Sequence, residues 1–307
     1  MSRDDPRPVT PGGRRSGRTS GPLGSPKDVL YEQRGAVALI TLNRPDVRNA
    51  QNSALLYALD DAFCRFAGDD AAAVAVLAGA GPCFSSGHDL GTREVDYDIS
   101  FPRRSLWWDH VGKEGAENRL AREEEVYLGL CRRWRELPKP TIAMVHGACI
   151  GGGLMLAWSC DLIVASEDAF FSDPVVRYGI PGVELFAHPW EIGGRVAKEL
   201  LFTAEPIDAR RAQALGMVNR VVTRERLEAE SMDLAEKIAG MPRLGLALAK
   251  QAVNQAEDAM GRRVGGDGAF ALHQLAHAHY AETTGSPMLG VDPARIQQAA
   301  PTDRRHP

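Results

Sequence analysis

The sequence predicts an α/β protein in which short buried strands alternate with amphipathic helices, followed by a helical C-terminal region. Three observations support this class. The 307 residues are 44% hydrophobic and 25% charged, which is typical of a globular chain with material for a large core. Short runs of Val, Ile, Leu and Ala are separated by stretches with helical spacing of apolar residues. The segment 223–284 carries helical spacing in three successive stretches.

The first predicted elements are a β-hairpin and a helix. Residues 29–34 and 36–42 are rich in Val, Ile, Leu and Tyr, and Gly35 separates them. Residues 53–66 place Leu55, Leu59 and Phe63 on one helical stripe. Residues 73–77 form an unbroken apolar run, typical of a strand covered on both faces. Further strands are predicted at 141–145, 162–165 and 218–222, and helices at 117–137, 152–158, 195–202, 209–215, 225–239, 242–259 and 269–283.

Composition divides the chain into a core at 28–222, the helical region at 223–284 and two tails. Residues 91–115 mix aromatic and charged residues without a clear period, which predicts a long loop or lid. Residues 1–27 and 285–307 are poor in apolar residues, and we expect both tails to be flexible. The first tail lacks the apolar segment of a secretory signal. A transit peptide is the alternative, although Asp4, Asp5 and five prolines weaken an amphipathic helix there.

Charge and cysteine usage exclude several classes of function. With 36 Lys+Arg against 40 Asp+Glu, the formal charge of −4 gives no attraction for nucleic acid or an anionic membrane. The five cysteines are scattered without a CxxC pair, so we expect neither a disulfide nor a metal site, and a reducing, cytoplasmic location. The apolar stretch 141–165 is broken by His146, Asp161 and three glycines, which argues against a membrane span.

Two glycine-bearing turns are the candidate chemical site. The first is 84–90 (FSSGHDL), after a predicted strand, and the second is 146–155 (HGACIGGGLM), between a strand and a helix. Main-chain amides at such turns can hold an anion or a developing oxyanion, and two turns could supply one donor each. The alternative is that the glycines only allow a helix to pack closely on a strand. Neither turn has the spacing of a nucleotide-binding motif.

Several further segments, taken in order, make the chain resemble the crotonase superfamily, the enoyl-CoA hydratase/isomerase family. The resemblance covers residues 29 to about 259. The matching segments are 40–45 (ITLNRP) with Asn49 and Ala50, 84–90, 138–143 (PKPTIA) with Gly147 and the glycines 151–153, 160–162 (CDL), 179–182 (GIPG) and 214–219 (ALGMVN).

The resemblance implies a crotonase-like spiral of ββα turns, normally a homotrimer or a dimer of trimers, that acts on an acyl-CoA thioester. Coenzyme A would be part of the substrate, with no separate cofactor and no metal. The amides of Ser86 and Gly152 would form the oxyanion hole. The remaining expectations are contacts with coenzyme A: the backbone near His88, Asp89 and Leu90 would line its adenine and pantetheine side, and Arg44 or Arg48 would contact phosphate.

The chain departs from the family where a hydratase carries its two glutamates, since those positions hold Met155 and Val175. Neither side chain can transfer a proton. Replacement groups are expected nearby, with Glu184 as the first candidate and Asp173 and His188 as the next. An Asp before a proline is more often a turn former, and a histidine beside aromatic residues is often simply packed.

Three functions remain open from the sequence. The first is an enzyme that stabilises a thioester enolate or oxyanion in the manner of the hydratase/isomerase family. The second keeps the fold but uses Glu184 for isomerisation, decarboxylation or thioester hydrolysis. The third is a non-catalytic acyl-CoA-binding protein, which the residues Met155 and Val175 would explain.

Overall fold

The computed structural model describes residues 27–92 and 94–286. The predicted flexible tails lie outside the described residues, apart from residue 27 and residues 285–286. The strands are β1 Val29–Arg34, β2 Val37–Leu42, β3 Val74–Gly79, β4 Thr141–Val145, β5 Ala148–Ile150, β6 Leu162–Ser166, β7 Phe170–Ser172, β8 Ile207–Asp208 and β9 Arg220–Val222.

Most helices follow the predicted segments. The helices are α1 Ser53–Gly68, α2 Gly115–Glu123, α3 Leu130–Arg135, α4 Gly152–Trp158, α5 His188–Ile192, α6 Gly194–Thr203, α7 Ala209–Ala214, α8 Leu227–Ala239, α9 Arg243–Ala259 and α10 Arg262–Thr284. The helix α5 was not predicted, and α10 begins well before the predicted start at residue 269. In the described part of the chain, no helix is both long and apolar enough to cross a bilayer.

The strands form two sheets. The larger has the order β1-β2-β3-β4-β6-β9, with β1 antiparallel to β2 and the other pairs parallel. The smaller has the order β5-β7-β8. Successive strands thus alternate between the two sheets. The strands β4 and β6 lie in the large sheet, and β5 and β7, each of which follows one of them in the chain, lie in the small sheet. This winding, with helices between strand pairs, is the predicted ββα spiral.

The central strands β2, β3, β4 and β6 of the large sheet are buried on both faces, as the unbroken apolar runs predicted. Along β3, Val74 and Val76 pack on one side with residues of α8, whereas Ala75 and Leu77 pack on the other side with residues of α1. Alternate side chains of a strand point to opposite faces, so a strand of this kind needs apolar residues at every position. The core fixes the ends of β3 and β4, where the candidate turns begin.

The structure differs from the sequence prediction in further local features. The strands β5, β7 and β8 were not predicted, because two or three residues are too few to show a period. The predicted helix 117–137 is interrupted by a π-helical turn at Glu124–Gly129. Within that turn the buried carboxylate of Glu125 accepts hydrogen bonds from the main-chain amides of Arg104 (2.5 Å) and Ser105 (3.0 Å), which anchors the 91–115 loop.

Candidate active site

The segment after β3 pairs with the chain around β5. The amide of Ser85 donates to the carbonyl of Ala148 at 3.1 Å, and the amide of Ile150 donates to the carbonyl of Ser85 at 3.1 Å. These two bonds bring the glycine-bearing turns 84–90 and 146–155 side by side. The proximity of the two turns, which the sequence only suggested, is therefore a feature of the fold.

The main-chain amide of His88 faces the second turn. On the opposite side, Gln51 donates to the carbonyl of Gly87 (2.8 Å) and accepts from the amide of Asp89 (3.0 Å). His88 lies between Gly87 and Asp89. In a parallel bridge of this kind its amide points away from Gln51, towards residues 148–152. Among the described residues, no acceptor receives the N–H of His88.

The expectation that Ser86 supplies the first amide is wrong. Its N–H donates to the carbonyl of Arg48 at 3.0 Å, so this hydrogen is already used and points away from residues 148–152. The physical reason is Gly87, whose φ of +94° turns the backbone between Ser86 and His88. The candidate donor of the first turn is therefore His88.

The second candidate donor, Gly152, is the first residue of α4. Its N–H comes before the first helical hydrogen bond, and no acceptor within residues 27–92 and 94–286 receives it. Gly151 sets the turn with a φ of +53° and donates its own amide to the carbonyl of Ser172 at 2.9 Å. A Cβ on Gly152 would lie 2.6 Å from Oε1 of Gln51 and 2.7 Å from Nδ1 of His88, so only glycine fits this position.

The imidazole of His88 is fixed from two sides. Its Nε2 donates to the carboxylate of Glu184 at 2.9 Å, and its ring stacks on Tyr127 with the centroids 3.8 Å apart. Because an ionised carboxylate only accepts hydrogen bonds, the proton lies on Nε2 and a neutral ring keeps its lone pair on Nδ1. This Nδ1 is buried, and it has no hydrogen-bond partner in the described part of the chain. His88 is thus arranged as a base beside Gly152.

Glu184 lies behind His88. Its side chain is 4% exposed, and its second oxygen lies 3.7 Å from Nε2 of His273. Burial alone would raise the pKa of this carboxyl, but its electrostatic interaction and hydrogen bond with His88, together with its interaction with His273, lower it well below its usual range. Glu184 is therefore an anion that orients His88.

Asp173 and His188, the other predicted replacement groups, form a separate pair. Nε2 of His188 donates to Oδ2 of Asp173 at 2.8 Å, and both side chains are fully buried. The same oxygen accepts the amide of Val183 at 3.1 Å, while the ring of His188 packs edge-on against Trp158. The pair therefore holds the loop that carries Glu184, rather than facing the amides of the two turns.

The predicted coenzyme A contacts divide into buried and exposed residues. Arg44 is buried and pairs with Asp89 (3.2 Å) and Glu94 (2.6 Å), so its guanidinium is used inside the protein and the expectation that it contacts phosphate is wrong. Arg48 is exposed, with no ion-pair partner among the described residues, and Leu90 is 54% exposed. These two remain available to a ligand.

Comparison with known proteins bears on the family and the fold. A family model described as enoyl-CoA hydratase/isomerase matches residues 32–102 and 109–280, most of the chain. The chain belongs to the enoyl-CoA hydratase/isomerase family. The crotonase-like fold expected from the resemblance is therefore confirmed, together with the helical C-terminal region.

Relatives in the enoyl-CoA hydratase/isomerase family include proteins named as hydratases and a protein named as an isomerase. "Putative enoyl-CoA hydratase EchA13" of Mycobacterium tuberculosis is 46% identical over 255 residues, which cover 82% of this chain and 80% of that protein. The crystal structure of a probable enoyl-CoA hydratase from Mycobacterium smegmatis has a TM-score of 0.77 and 44% identity, and the match covers 85% of this chain and 99% of that one. A monofunctional enoyl-CoA isomerase from M. smegmatis has a TM-score of 0.60 and 29% identity, with 76% and 94% covered.

Sequence reasoning did not place the His88 side chain between Glu184 and Gly152 in this hydratase/isomerase family member. It also missed Tyr127 and Gln51, which contact His88 and Gly152. The signal present in the sequence was Gly87 before a histidine, since a positive φ at that glycine decides which amide turns towards the helix. Met155 is buried in the core, and Val175 packs against the same core. Both apolar side chains therefore lie among other apolar side chains.

Proposed function

We propose that this protein is an acyl-CoA enzyme that forms a thioester enolate, with its oxyanion held by the main-chain amides of His88 and Gly152. Two free amides on the same side of adjacent turns support the proposal. Donors that already point to where negative charge develops stabilise the transition state without reorganisation, and one such donor contributes a factor of about 10² to 10³ in rate.

The acid-base step in this proposal belongs to His88. Its Nδ1 takes a proton from the α-carbon of the thioester, the electron pair of the broken C–H bond moves onto the carbonyl oxygen, and the enolate forms. Glu184 is a positioning residue, because it holds Nε2–H and stabilises the imidazolium that results. The observation that carries the assignment is the 2.9 Å contact between Glu184 and the ring whose other nitrogen is unpaired beside Gly152.

Double-bond isomerisation is the reaction that one base performs most directly. Removal of the α-proton of a 3-enoyl thioester gives a dienolate and a His88 imidazolium, whose Nδ1 proton exchanges with solvent, and delivery of a proton from this imidazolium to the γ-carbon gives the 2-enoyl product. Hydration instead requires a second group to activate water, and Met155 and Val175 hold the positions where the resemblance puts such groups. Hydration is the second candidate, because relatives that are 46% and 44% identical to this chain are named as hydratases.

Deuterium exchange tests the proposal independently of the final product. The purified protein is incubated with 2-enoyl- and 3-enoyl-CoA thioesters in D₂O, and products are followed by mass spectrometry and chromatography. We expect deuterium in the acyl chain and interconversion of the isomers. His88→Ala should lose at least about 100-fold in exchange rate while still binding the thioester, because its main-chain amide remains.

Three outcomes separate the alternatives. A mass gain of one water would select the hydratase reading and remove the isomerase. Saturable binding without exchange or turnover would establish the non-catalytic binder instead. His279→Gln is the control variant, because it removes an exposed histidine on α10 and should exchange like the wild type.

The same proposal assigns coenzyme A to the exposed side of the first turn. Arg48 is an unpaired cation there within the described residues, and Leu90 gives an adjacent apolar surface. Coenzyme A enters as part of the substrate. A reducing, cytoplasmic compartment is the location that fits a substrate of this class, and all five cysteines are free thiols.

A homotrimer or a dimer of trimers is also part of the proposal. None of the 17 residues of α9 is buried within the single chain. Large apolar side chains of α9 and α10 are more than half exposed, namely Leu244, Leu248, Val253, Val264, Leu272 and Leu275. Monomeric proteins rarely leave so many apolar side chains in water on neighbouring helices, which supports burial against other copies of the chain.

A further inference from the structure

Three metal-ligating side chains meet inside the protein, away from the two turns. His273 and His277 lie one helical turn apart on the same face of α10, and Glu123 is the last residue of α2. All three side chains are at most 8% exposed. In the described part of the chain, these three residues are the group of His, Cys, Asp or Glu side chains whose ligand atoms all lie within 4.8 Å of one another.

The spacing of the ligand atoms suits a small cation. The two Nε2 atoms are 3.0 Å apart, and the carboxylate oxygens of Glu123 lie 3.7 Å from Nε2 of His273 and 3.6 Å from Nε2 of His277. The two distances to Glu123 involve its two different oxygens, Oε2 and Oε1. Ligand atoms bound tetrahedrally to zinc at about 2.0 to 2.2 Å lie roughly 3.3 to 3.6 Å apart, which is close to these separations.

Groups around the cluster orient the ligand atoms. Nδ1 of His273 donates to the carbonyl of Gly182 at 2.7 Å, so in the neutral ring the lone pair on Nε2 points into the cluster. The side chain of Gln274 donates to Glu123. Metal-bound histidines are commonly held through their other nitrogen by a carbonyl in this way, and metal-bound carboxylates receive similar hydrogen bonds.

We propose that Glu123, His273 and His277 bind a divalent transition-metal ion, with zinc as the ion that this ligand set fits best. Two imidazoles and a carboxylate are ligands that zinc accepts, and the fourth position is open to water or to Glu184, whose Oε1 lies 3.7 Å from Nε2 of His273. This assignment goes against the expectation of no metal site, which rested on cysteine spacing.

The proposed ion would join three parts of the fold. It would link α2 to α10 and, through His273 and Gly182, to the loop that carries Glu184. That loop holds His88 through Glu184. The ion would therefore be a structural anchor behind the candidate base. Metal binding is measured without substrate, so the proposal stands or falls independently of the proposed reaction.

Zinc and cobalt binding to the full-length, untagged protein test the site. The protein is stripped with a chelator, dialysed against Zn²⁺, and its metal content is measured by mass spectrometry. Co²⁺ in place of Zn²⁺ should give the visible absorption of a four-coordinate site. We expect one ion per chain and a rise in the unfolding temperature with added zinc. His277→Gln should weaken zinc binding by at least about 100-fold.

His279→Gln is the matched control, since it removes an exposed histidine two residues from His277 on the same helix. This variant should bind zinc as the wild type does. If His277→Gln fails to fold, Glu123→Gln provides the second test of the same site. Absence of stoichiometric zinc and cobalt binding to the wild type, or equal affinity in the folded ligand variants, would overturn the proposal and leave a hydrogen-bonded cluster.

Discussion

Substitution of Gly152 by alanine is the sharpest steric test of the paired amides. The added methyl group would lie 2.6 Å from Oε1 of Gln51 and 2.7 Å from both Cε1 and Nδ1 of His88. Ordinary contacts of this kind are about 3.5 to 4.0 Å, so the neighbours must move by roughly 1 Å. Gln51 is buried and donates to the hydroxyl of Ser85 at 3.0 Å, and His88 is held by Glu184 and stacked on Tyr127.

The displacement should reduce catalysis more than stability. A misplacement of about 1 Å in a catalytic group costs on the order of 10²-fold in rate. Overpacking of this kind costs about 1 to 3 kcal/mol of folding free energy, which leaves a domain of ordinary stability folded. We therefore expect Gly152→Ala to lose about 100-fold in deuterium exchange with a cooperative unfolding transition.

The assay pairs the exchange rate with chemical denaturation. Gly68→Ala is the control, because a Cβ at this exposed last residue of α1 would meet nothing within 4 Å. It should keep the wild-type exchange rate and gain about 0.5 to 1 kcal/mol of stability, since alanine is the better helix former. Wild-type exchange in a folded Gly152→Ala protein would refute the reasoning about the amide pair.

Four further predictions concern other parts of the molecule. Iodoacetamide at pH 7.5 should label Cys64 before the other cysteines, because Cys64 is exposed whereas burial raises the pKa of the other four thiols. Peptide mapping measures the order of labelling, and faster labelling of a buried thiol would contradict the prediction. Burial lowers the pKa of His146, so the unfolded state binds the proton more readily and the free energy of unfolding should fall as pH drops below about 6.5. Urea titrations at pH 8 and 5.5 measure this fall, and His146→Gln should make it smaller. An equal fall in His146→Gln and the wild type would exclude His146 as its source. Arg48→Ala should raise KM for the CoA thioester several-fold with kcat unchanged, an effect that a pantetheine thioester should not show. Leu248→Glu should reduce the mass of the assembly measured by light scattering, from that of three or six chains to that of fewer chains. A monomeric wild-type protein would contradict the proposed trimer.

The elements that the sequence predicts are those with a long enough period. The helix α1 and the strands β2 and β3 follow from apolar residues at helical or continuous spacing, because burial of one stripe or both faces leaves a direct record in the sequence. The strand β5 is only three residues long, yet it places the second turn beside the first. Its pairing with Ser85 depends on tertiary contacts that no local pattern records.

The candidate site shows the same limit at single residues. The sequence identifies both turns and Gly152, but the choice between Ser86 and His88 depends on the φ of Gly87, which the residue type permits without requiring. The resemblance suggested Arg44 as a phosphate contact, but its burial against Asp89 depends on a long-range contact that the local sequence does not show.

The metal cluster was accessible in part from the sequence. Two histidines four residues apart in a predicted helix, His273 and His277, lie on one face and are a known spacing for metal ligands. The third ligand, Glu123, is 150 residues away in the chain and comes into contact only because α10 packs on α2.

A crystal structure of the protein with an acyl-CoA thioester bound is the measurement that most directly tests the central assignment. We expect the thioester oxygen within about 2.7 to 3.1 Å of the amide nitrogens of both His88 and Gly152, with Nδ1 of His88 directed at the α-carbon. A thioester oxygen bound elsewhere, or held by only one of the two amides, would contradict it.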